Sequence, residues 1–292
     1  MELVKCRDPF FSLVVPTIER TYEVEALLAS IRNSEFKDFE VIIVDQNQDN
    51  RLDQIIDIFR PDFDILHLKV EFRGLARARN YGARYAKGQW INFPDDDCEL
   101  KRELLGNAKQ NILDRNISVL TGSCVDRNGK FSGRFVNDET YVDLSNIWGR
   151  FIDAAIFIDR KVFLDLAGFD ERFGVGSQYG GEEGGELLIR LIKHLPRESL
   201  YYNYKVQFYH PHKAYEFTTA DCQRSYNYSR GSGANLAKWP YFHMYIHAAN
   251  LILRGIVGAI IFRKGKRWFY LNRLKGFFHG YLEFRRCDND RY

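Results

Sequence analysis

Short apolar runs alternate along the first hundred residues with segments in which apolar residues recur at helical spacing. Four runs rich in β-branched and aromatic residues predict strands, at residues 10–16, 39–45, 63–70 and 88–93. Three segments between them predict helices, near residues 21–34, 51–59 and 74–86. Strands that alternate with helices in this way predict a parallel sheet with helices on both faces.

The pattern is less regular after residue 98. The elements expected there are a helix over residues 101–116 and strands at residues 118–123, 131–135 (FSGRF, an edge strand) and 151–160. Seven of the 22 glycines lie between Gly168 and Gly185. A segment so rich in glycine predicts a mobile loop beside the sheet, and such loops often cover a bound substrate.

The composition is that of a globular protein. The chain has 292 residues, 45% of them hydrophobic, which is enough for one large domain or for a domain with an appendage. The net charge of +3 is unevenly spread, because residues 263–292 hold nine Lys and Arg against three acids (+6), so that residues 1–262 sum to −3. A nucleic-acid-binding protein would carry its positive charge more widely, and no nucleic acid partner is expected.

The cysteines and the apolar runs favour a cytoplasmic protein. Five cysteines form no CxxC pair, and their odd number suits free thiols in a reducing compartment. The N-terminus lacks the basic and then apolar segments of a signal peptide. The most apolar run, residues 245–262, carries His247, Asn250 and Arg254, so no run is expected to span a bilayer.

Polar residues follow three of the predicted strands at the point where each strand ends. Pro16 and Thr17 close the first strand, Asp45 closes the second, and Asp95–Asp97 follow the fourth. Parallel strands present their carboxyl ends at one edge, where ligands bind, so these positions predict a site. The first strand is followed by PTIERTY rather than GxGxxG, and the chain has no P-loop motif, which argues against both of those nucleotide-binding classes.

The residues alone leave two interpretations of the aspartate triplet open. Asp95 and Asp97 offer hard oxygen ligands that suit Mg²⁺ or Mn²⁺, cations that also bind phosphates. Alternatively, the triplet is a solvated turn that caps the next helix. Arg73 and Arg79 precede the triplet and are placed to reach a pyrophosphate, since guanidinium groups match phosphate oxygens bidentately.

Four motifs, in order along residues 10 to about 194, carry a resemblance to a known family. They are SLVVPTIER, FEVIIVDQNQDNR, GLARARNYGARYAKGQWINFPDDD and GFDERFGVGSQYGGEEGGELLIRL. In this order they resemble the inverting family 2 glycosyltransferases, of the bacterial capsule and O-antigen type. The resemblance implies an α/β GT-A fold, with a mostly parallel, Rossmann-like sheet flanked by helices and a helical C-terminal extension. It also implies a nucleotide-sugar-binding half at residues 1–125, an acceptor-binding half of the same domain at 126–212 and an extension at 213–292.

The resemblance further implies which residues hold the donor, a UDP-sugar. On the nucleoside side, Pro16 and Thr17 would lie by the nucleobase, Glu19 near the nucleotide, and Asp45 would accept a hydrogen bond from the base, most often uracil. Arg79, with Arg73, would lie near the diphosphate.

The aspartate triplet then corresponds to the DxD motif of the family. Asp95 would lie near the ribose and the metal, and Asp97 would bind the cation, Mn²⁺ or Mg²⁺. Asp96 belongs to the same nucleotide-sugar motif without a firm role of its own. His210 and His212 follow a predicted strand, and His210 would complete the metal shell as a C-terminal histidine does in some members. Alternatively, His210 is a structural or surface histidine.

The general base of the family is a carboxylate at the start of a helix that ends in an L-x-x-R pattern. The corresponding stretch here is EEGGELLIRL, in which Gly184 replaces the usual Asp. Glu183 is therefore the first candidate for the base and Glu182 the second, while Glu186 is expected to serve the helix N-terminus. Alternatively, these acids have no catalytic role.

The implied reaction is the transfer of a hexose, glucose or galactose favoured, from a UDP-sugar to a hydroxyl of a glycan or lipid-linked oligosaccharide, with inversion. A bound cation would stabilise the charge on the leaving phosphate. A UDP-sugar-binding scaffold without transfer activity is the alternative that the Gly184 departure leaves open, and a retaining transferase is another.

The C-terminal segment interleaves basic and aromatic residues, as in RKGKRWFY at residues 263–270. Basic, aromatic-rich helices often lie on anionic membrane surfaces, which fits lipid-linked acceptors and would place the protein peripherally on the inner face of the cytoplasmic membrane. Alternatively, this segment forms a helical lid or a homodimer contact.

Overall fold

The computed structural model describes residues 8–211 and 215–289, which group into two compact units. The first, here called the sheet unit, consists of residues 8–73, Ala78–Gly168 and residues 194–211. The second, the helical unit, consists of Gly74–Arg77, Phe169–Lys193 and residues 215–289. Residues 215–289 of the expected C-terminal extension fall in the helical unit, which also includes the glycine-rich segment. The expected halves of the preceding domain, at residues 1–125 and 126–212, stay a prediction.

The sheet unit contains a nine-stranded sheet within the described residues. Its strands are β1 (Phe11–Thr17), β2 (Phe39–Asp45), β3 (Ile65–Lys69), β4 (Trp90–Asn92), β5 (Glu99–Leu100), β6 (Val119–Val125), β7 (Glu139–Tyr141), β8 (Ile156–Asp159) and β9 (Leu200–Tyr209). Their order is β3-β2-β1-β4-β8-β6-β9-β5, with β7 also paired to β9. The predicted parallel arrangement holds for β1 to β4, but β8 runs antiparallel to both β4 and β6, so the sheet as a whole is mixed.

Helices pack on this sheet through the apolar positions that predicted them. They are α1 (Tyr22–Arg32), α2 (Asp53–Phe59), α3 (Leu75–Ala83), α4 (Leu104–Arg115) and α5 (Arg160–Asp165). In α1 the residues at helical spacing, Val24, Leu27, Leu28 and Ile31, are all buried. Each such side chain contributes about 1.5–3 kcal/mol by leaving water. α3 approaches the sheet at Gly82, where a Cβ atom would crowd the Val44 side chain at 2.8 Å.

One strand prediction was wrong, and another was too long. Residues 131–135 form no strand, because only Phe131 pairs, in an isolated bridge to Val125; β9 pairs instead with β7. Of residues 151–160 only β8 is extended, and Asp153–Ala155 form a 3₁₀ turn. The buried Asn92 side chain donates hydrogen bonds to the carbonyl oxygens of Ala154 and Ile156. These bonds satisfy backbone groups of the turn in place of hydrogen bonds from a neighbouring strand.

The helical unit is built from α6 (Glu183–His194), α7 (Thr219–Lys238), α8 (Phe242–Ile261) and α9 (Lys264–Asn289). α7 and α9 approach closely at glycines: a Cβ on Gly233 would overlap the carbonyl oxygen of Phe277, and one on Gly280 that of Arg230. The glycine-rich segment is anchored on this pair, since Phe173 and Tyr179 are buried with Phe284 of α9.

α8 corrects the expectation that no segment has the length of a membrane span. By length and composition alone it could cross a membrane, and it is the one such helix among residues 8–211 and 215–289. Arg254 is the one charged residue among the twenty residues of α8. The polar residues that argued against a membrane span are therefore too few to exclude one. The four described cysteines are free, as predicted, and Cys6 lies outside the described residues.

Candidate active site

The ends of β1 and β2 meet the aspartate triplet at one edge of the sheet unit. Thr17 is paired in register with Asp45, and the Thr17 hydroxyl donates a hydrogen bond to Asp96 Oδ2 at 2.8 Å. The polar positions that follow β1, β2 and β4 therefore converge as their places in the sequence predicted. Pro16, next to Thr17, is a buried residue of β1.

Asp45 is fully buried and held by two neighbours. One carboxylate oxygen accepts hydrogen bonds from the backbone and side-chain amides of Asn47 at 2.9 and 2.7 Å, and the other lies 3.0 Å from His67 Nε2. Burial opposes ionisation, but the hydrogen bonds from His67 and Asn47 outweigh it and lower the pKa of Asp45. Asp45 thus orders the loop after β2, and its contact with a nucleobase stays a prediction.

Glu19 and Arg73 lie at the exposed rim of this edge. Glu19 has a left-handed backbone conformation with φ of 59°, and its N–H donates to Asn47 Oδ1 at 2.6 Å. Its carboxylate lies 3.5 Å from the Arg73 guanidinium, and both side chains are 69% exposed. An exposed pair of this kind contributes little to stability, so both groups can turn to a ligand at small cost.

Arg20, which the sequence reasoning missed, binds the triplet. Its guanidinium lies 3.4 Å from Asp96 and 3.0 Å from Asp97. Burial raises the pKa of Asp96 to about 6, against the opposing effects of Thr17 and Arg20. Asp96, which had no firm role, therefore ties the triplet to the loop after β1. An arginine three residues beyond a strand that ends in the site is the signal that could have identified Arg20.

Arg79 is 1% exposed and supports Asp95 from within the protein. Its guanidinium lies 2.7 Å from Asp95 and 3.2 Å from Asp153. Burial raises the pKa of Asp95, while the charge of Arg79 lowers it. The structure thus places Arg79 against the triplet, and its predicted contact with a diphosphate stays a prediction. Asp153 was also missed, although an acid within the apolar run FIDAAIF was a usable signal.

His210 joins the triplet because β5 pairs with β9. Glu99 is paired with Tyr209, which brings the residues before Glu99 beside the residue after Tyr209. One potential ligand atom from each of Asp95, Asp97, Cys98 and His210 lies within 4.8 Å of the others. His210 Nε2 is 3.5 Å from Asp97 Oδ1. His212, the other histidine considered, lies outside the described residues.

The donor set of this cluster fits Mn²⁺ or Mg²⁺. The two carboxylates supply the hard oxygen ligands that such cations prefer, and the imidazole of His210 adds one nitrogen ligand. The hydrogen bond with Cys124, and then burial, raise the pKa of Cys98, so its thiol stays neutral and is the poorest ligand of the four. A cavity of 480 Å³ opens beside Asp97 and His210, with Arg20, Tyr22 and Tyr209 among its lining residues.

The candidate bases lie at the start of α6 in the helical unit. Glu182 has a φ of 70°, and its carboxylate accepts hydrogen bonds from Ser232 at 2.7 Å and Asn235 at 3.4 Å. Glu186 is fully buried and paired with Arg190 and Lys238. Glu183 is 6% exposed, and a Cβ on Gly174 would lie 3.2 Å from its carboxyl carbon. Glu182 and Glu186 therefore have structural partners that account for them.

Known proteins were compared with the chain. A GalNAc(5)-diNAcBac-PP-undecaprenol beta-1,3-glucosyltransferase of Campylobacter jejuni is 26% identical over 193 residues, 63% of this chain. The chain spans 60% of the length of that relative. TarS 1–349 of S. aureus covers 96% of the chain with a TM-score of 0.66 at 18% identity, over 82% of its own length. PcManGT, a mannosyltransferase of Pyrobaculum calidifontis solved with GDP-Man and Mn²⁺, gives a TM-score of 0.62 at 17% identity, covering 96% of this chain and 88% of its own.

The mixed sheet with its flanking helices, and the likeness to these solved structures, define a glycosyltransferase fold of the GT-A type with a helical C-terminal region. The model of the family "Glycosyl transferase family 2" matches residues 12–165, which is more than half of the chain. The chain therefore belongs to glycosyl transferase family 2.

Proposed function

We propose that the chain transfers a hexose from a UDP-sugar to a hydroxyl of a glycan or lipid-linked oligosaccharide, with inversion. The observation that carries the proposal is the convergence of Asp95, Asp97 and His210 at the carboxyl edge of the sheet. The Campylobacter relative is named as a glucosyltransferase for an undecaprenol-linked glycan, and TarS 1–349 has been solved in complex with UDP-GlcNAc. The TarS complex supports a UDP-sugar donor, and the name of the Campylobacter relative supports a lipid-linked acceptor.

In the proposed reaction the acceptor oxygen forms a bond to C1 of the sugar while the bond from C1 to the phosphate oxygen breaks. The electron pair of the broken bond goes to UDP, and the acceptor proton goes to a carboxylate. Asp95, Asp97 and His210 would hold a divalent cation, which supplies Lewis-acid stabilisation of the leaving diphosphate. Arg79 holds Asp95, and Arg20 holds Asp97 and Asp96, so these arginines orient the ligands.

Glu183 is the proposed general base. Its neighbour Glu182 is engaged by Ser232 and Asn235, and Glu186 by two basic side chains. Glu183 is the first residue of α6 and directly precedes Gly184, which stands at the position of the usual Asp. This position in the motif favours Glu183, while the partners of Glu182 and Glu186 give those two acids structural roles.

The test of the base is turnover of UDP-sugars with a lipid-linked acceptor in the presence of Mn²⁺. Glu183→Gln is expected to lower kcat by roughly 10²- to 10⁴-fold, the contribution of a positioned base. UDP affinity, measured by calorimetry, should not change. The matched control is Glu171→Gln, an exposed acid of the same unit. Retention of full turnover by Glu183→Gln, with loss in Glu182→Gln, would assign the base to Glu182 instead.

The test of the metal site uses binding rather than activity. Asp97→Asn is expected to abolish the Mn²⁺-dependent part of UDP affinity, whereas Asp114→Asn, at an exposed position of the sheet unit, should leave it intact. Mn²⁺-dependent UDP binding that survives in Asp97→Asn would contradict the assignment. If UDP binds normally to the wild-type chain but no donor and acceptor pair turns over, the chain is a UDP-sugar-binding scaffold.

A further inference from the structure

We propose that the outer face of α8, together with the basic segment that follows it, docks on an anionic lipid membrane surface. The outer face is defined by Phe242, Ile246, Leu253, Ile256 and Ile260, and the basic segment by residues 263–267. The inference concerns the helical unit alone and does not depend on the donor, the metal or the base proposed above.

The outer face is a continuous apolar stripe open to solvent. Phe242, Ile246, Leu253 and Ile260 follow one another at intervals of four and seven residues, which places them on one side of a helix. Phe242 is 73% exposed and Ile260 is 76% exposed. A helix on the surface of a soluble protein normally turns its polar side to water. An exposed apolar stripe of this length marks an interaction surface.

The opposite side of α8 is already occupied within the helical unit. Its buried residues are Met244, Ala248, Gly255, Gly258 and Ala259. A Cβ on Gly255 would lie 2.7 Å from the Leu274 side chain, and one on Gly258 would overlap the Tyr270 ring, so both glycines are needed for contact with α9. α8 is therefore a packed helix with one free apolar face. This arrangement suits a helix that lies in the membrane interface better than one surrounded by lipid.

The charges beside the stripe select an anionic partner. Arg263, Lys264 and Arg267 are exposed, and none of the three has a carboxylate within salt-bridge distance among the residues that the structure describes. Trp268, 62% exposed, adjoins them, and tryptophan favours the boundary between apolar and aqueous phases. Apolar burial and basic residues near anionic lipids are the two components of peripheral membrane binding.

A second copy of the chain fits the same face less well. A two-fold symmetric contact places the same patch of both subunits together. It would carry both basic segments to the same interface, where like charges repel. An anionic bilayer instead complements the apolar stripe and the basic segment at once.

The test is flotation of the purified full-length chain with vesicles of phosphatidylcholine alone or with 30 mol% phosphatidylglycerol, about the fraction that gives a strongly anionic surface. The wild-type chain is expected to float with the anionic vesicles and to be released by high salt. Ile256→Ser with Ile260→Ser should weaken binding by roughly 20-fold or more, from the lost apolar burial. Ile58→Ser with Leu113→Ser, at exposed apolar positions of the sheet unit, is the matched control and should bind as wild type.

The charge contribution is tested separately. Arg263→Gln with Arg267→Gln should weaken binding to anionic vesicles by roughly 20-fold, about fivefold for each cation. Brominated lipids should quench the wild-type fluorescence, and Trp268→Phe should remove most of that quenching. Circular dichroism of every variant confirms that the helices are intact.

Four results would overturn the proposal. The first is a wild-type chain that does not float with the anionic vesicles at low salt. The second is a double variant, Ile256→Ser with Ile260→Ser, that floats as well as the wild type. The third is resistance of the cell-expressed chain to alkaline carbonate extraction, which would make α8 a membrane span. A dimer that this double variant dissociates, without vesicle binding, would also reject it in favour of self-association.

Discussion

The support that Arg79 gives to the candidate metal ligands can be tested by replacing its charge and keeping its length. Arg79→Met preserves the aliphatic part of the side chain in α3 but removes the guanidinium from between Asp95 and Asp153. The two carboxylates are then left without that cation. We expect the sheet unit to unfold more easily, and Asp95, a proposed metal ligand, to lose its fixed orientation.

The size of the effect follows from burial. Removing one partner of a buried ion pair costs about 3–5 kcal/mol, because the other charge stays buried. Here the Arg79 side chain is 1% exposed, but those of Asp95 and Asp153 are 27% and 21% exposed. Water can therefore solvate part of the carboxylate charge in the variant, and we expect a loss of about 2–4 kcal/mol.

The measurement is urea unfolding at pH 7.5 in the presence of EDTA, so that stray cations do not replace the missing charge. Arg84→Met is the control, since Arg84 is exposed just after the same helix and should change stability by less than about 0.5 kcal/mol. Asp153→Asn added to Arg79→Met should recover part of the loss. A variant with the unfolding free energy of the wild type would refute the reasoning, as would a double variant less stable than Arg79→Met.

Three predictions concern the helical unit. Lys238→Met removes the ammonium that lies 2.6 Å from the carboxylates of Asp170 and Glu186. It should lower the free energy of unfolding, measured by thermal denaturation, by about 2–4 kcal/mol, whereas Lys275→Met, at an exposed position, should not. Gly280→Ala should lower the free energy of unfolding by at least about 2 kcal/mol, because the added methyl group forces α7 and α9 apart. Gly106→Ala, at a helix position with open space around it, should be neutral or stabilising. Equal effects of the two substitutions would contradict the packing. Burial, and then the charge of Arg273, lower the pKa of His247 to about 4, below its unfolded value near 6.5. Stability that is present above pH 6.5 should therefore fall by about 3 kcal/mol toward pH 4. That fall should vanish in His247→Gln, and melting curves at both pH values check it.

The part of the fold that the sequence predicted is the part set by local patterns. β1 to β4 are runs with helices between them, and each run carries its own signal for a strand; the signal of a buried parallel strand is clearest in β2, which is apolar almost throughout. The insertion of β8 between β4 and β6, antiparallel to both, depends on pairing between distant segments, which no local pattern encodes. The wrong edge strand at residues 131–135 has the same origin, because its apolar residues do not reveal that only Phe131 pairs, with Val125, while β7 pairs with β9.

The residues of the candidate site show the same difference between what local patterns predict and what pairing between distant segments decides. Residues at strand ends were predictable, since parallel strands bring their carboxyl ends to one edge whatever the details of packing. Their partners carried weaker signals, an arginine close to a strand end (Arg20) and an acid in an apolar run (Asp153), and His67 reaches Asp45 through the register of β2 and β3. His210 was a candidate through the resemblance to the family, and its place beside Asp97 follows from the pairing of Glu99 with Tyr209, two residues that share no sequence signal.

The choice between Glu182 and Glu183 shows what the structure adds to a motif that departs from its family. Spacing along the chain could only rank the two acids, because Gly184 occupies the usual position of the aspartate. Glu182 has partners on α7: Ser232 and Asn235 bind its carboxylate, and its backbone is in a left-handed conformation that an ordinary residue adopts at a cost of about 1 kcal/mol. Glu182 thus joins the start of α6 to α7. Glu182→Gln should therefore lower the melting temperature while leaving kcat near the wild-type value. Glu183→Gln should lower kcat while leaving the melting temperature near the wild-type value.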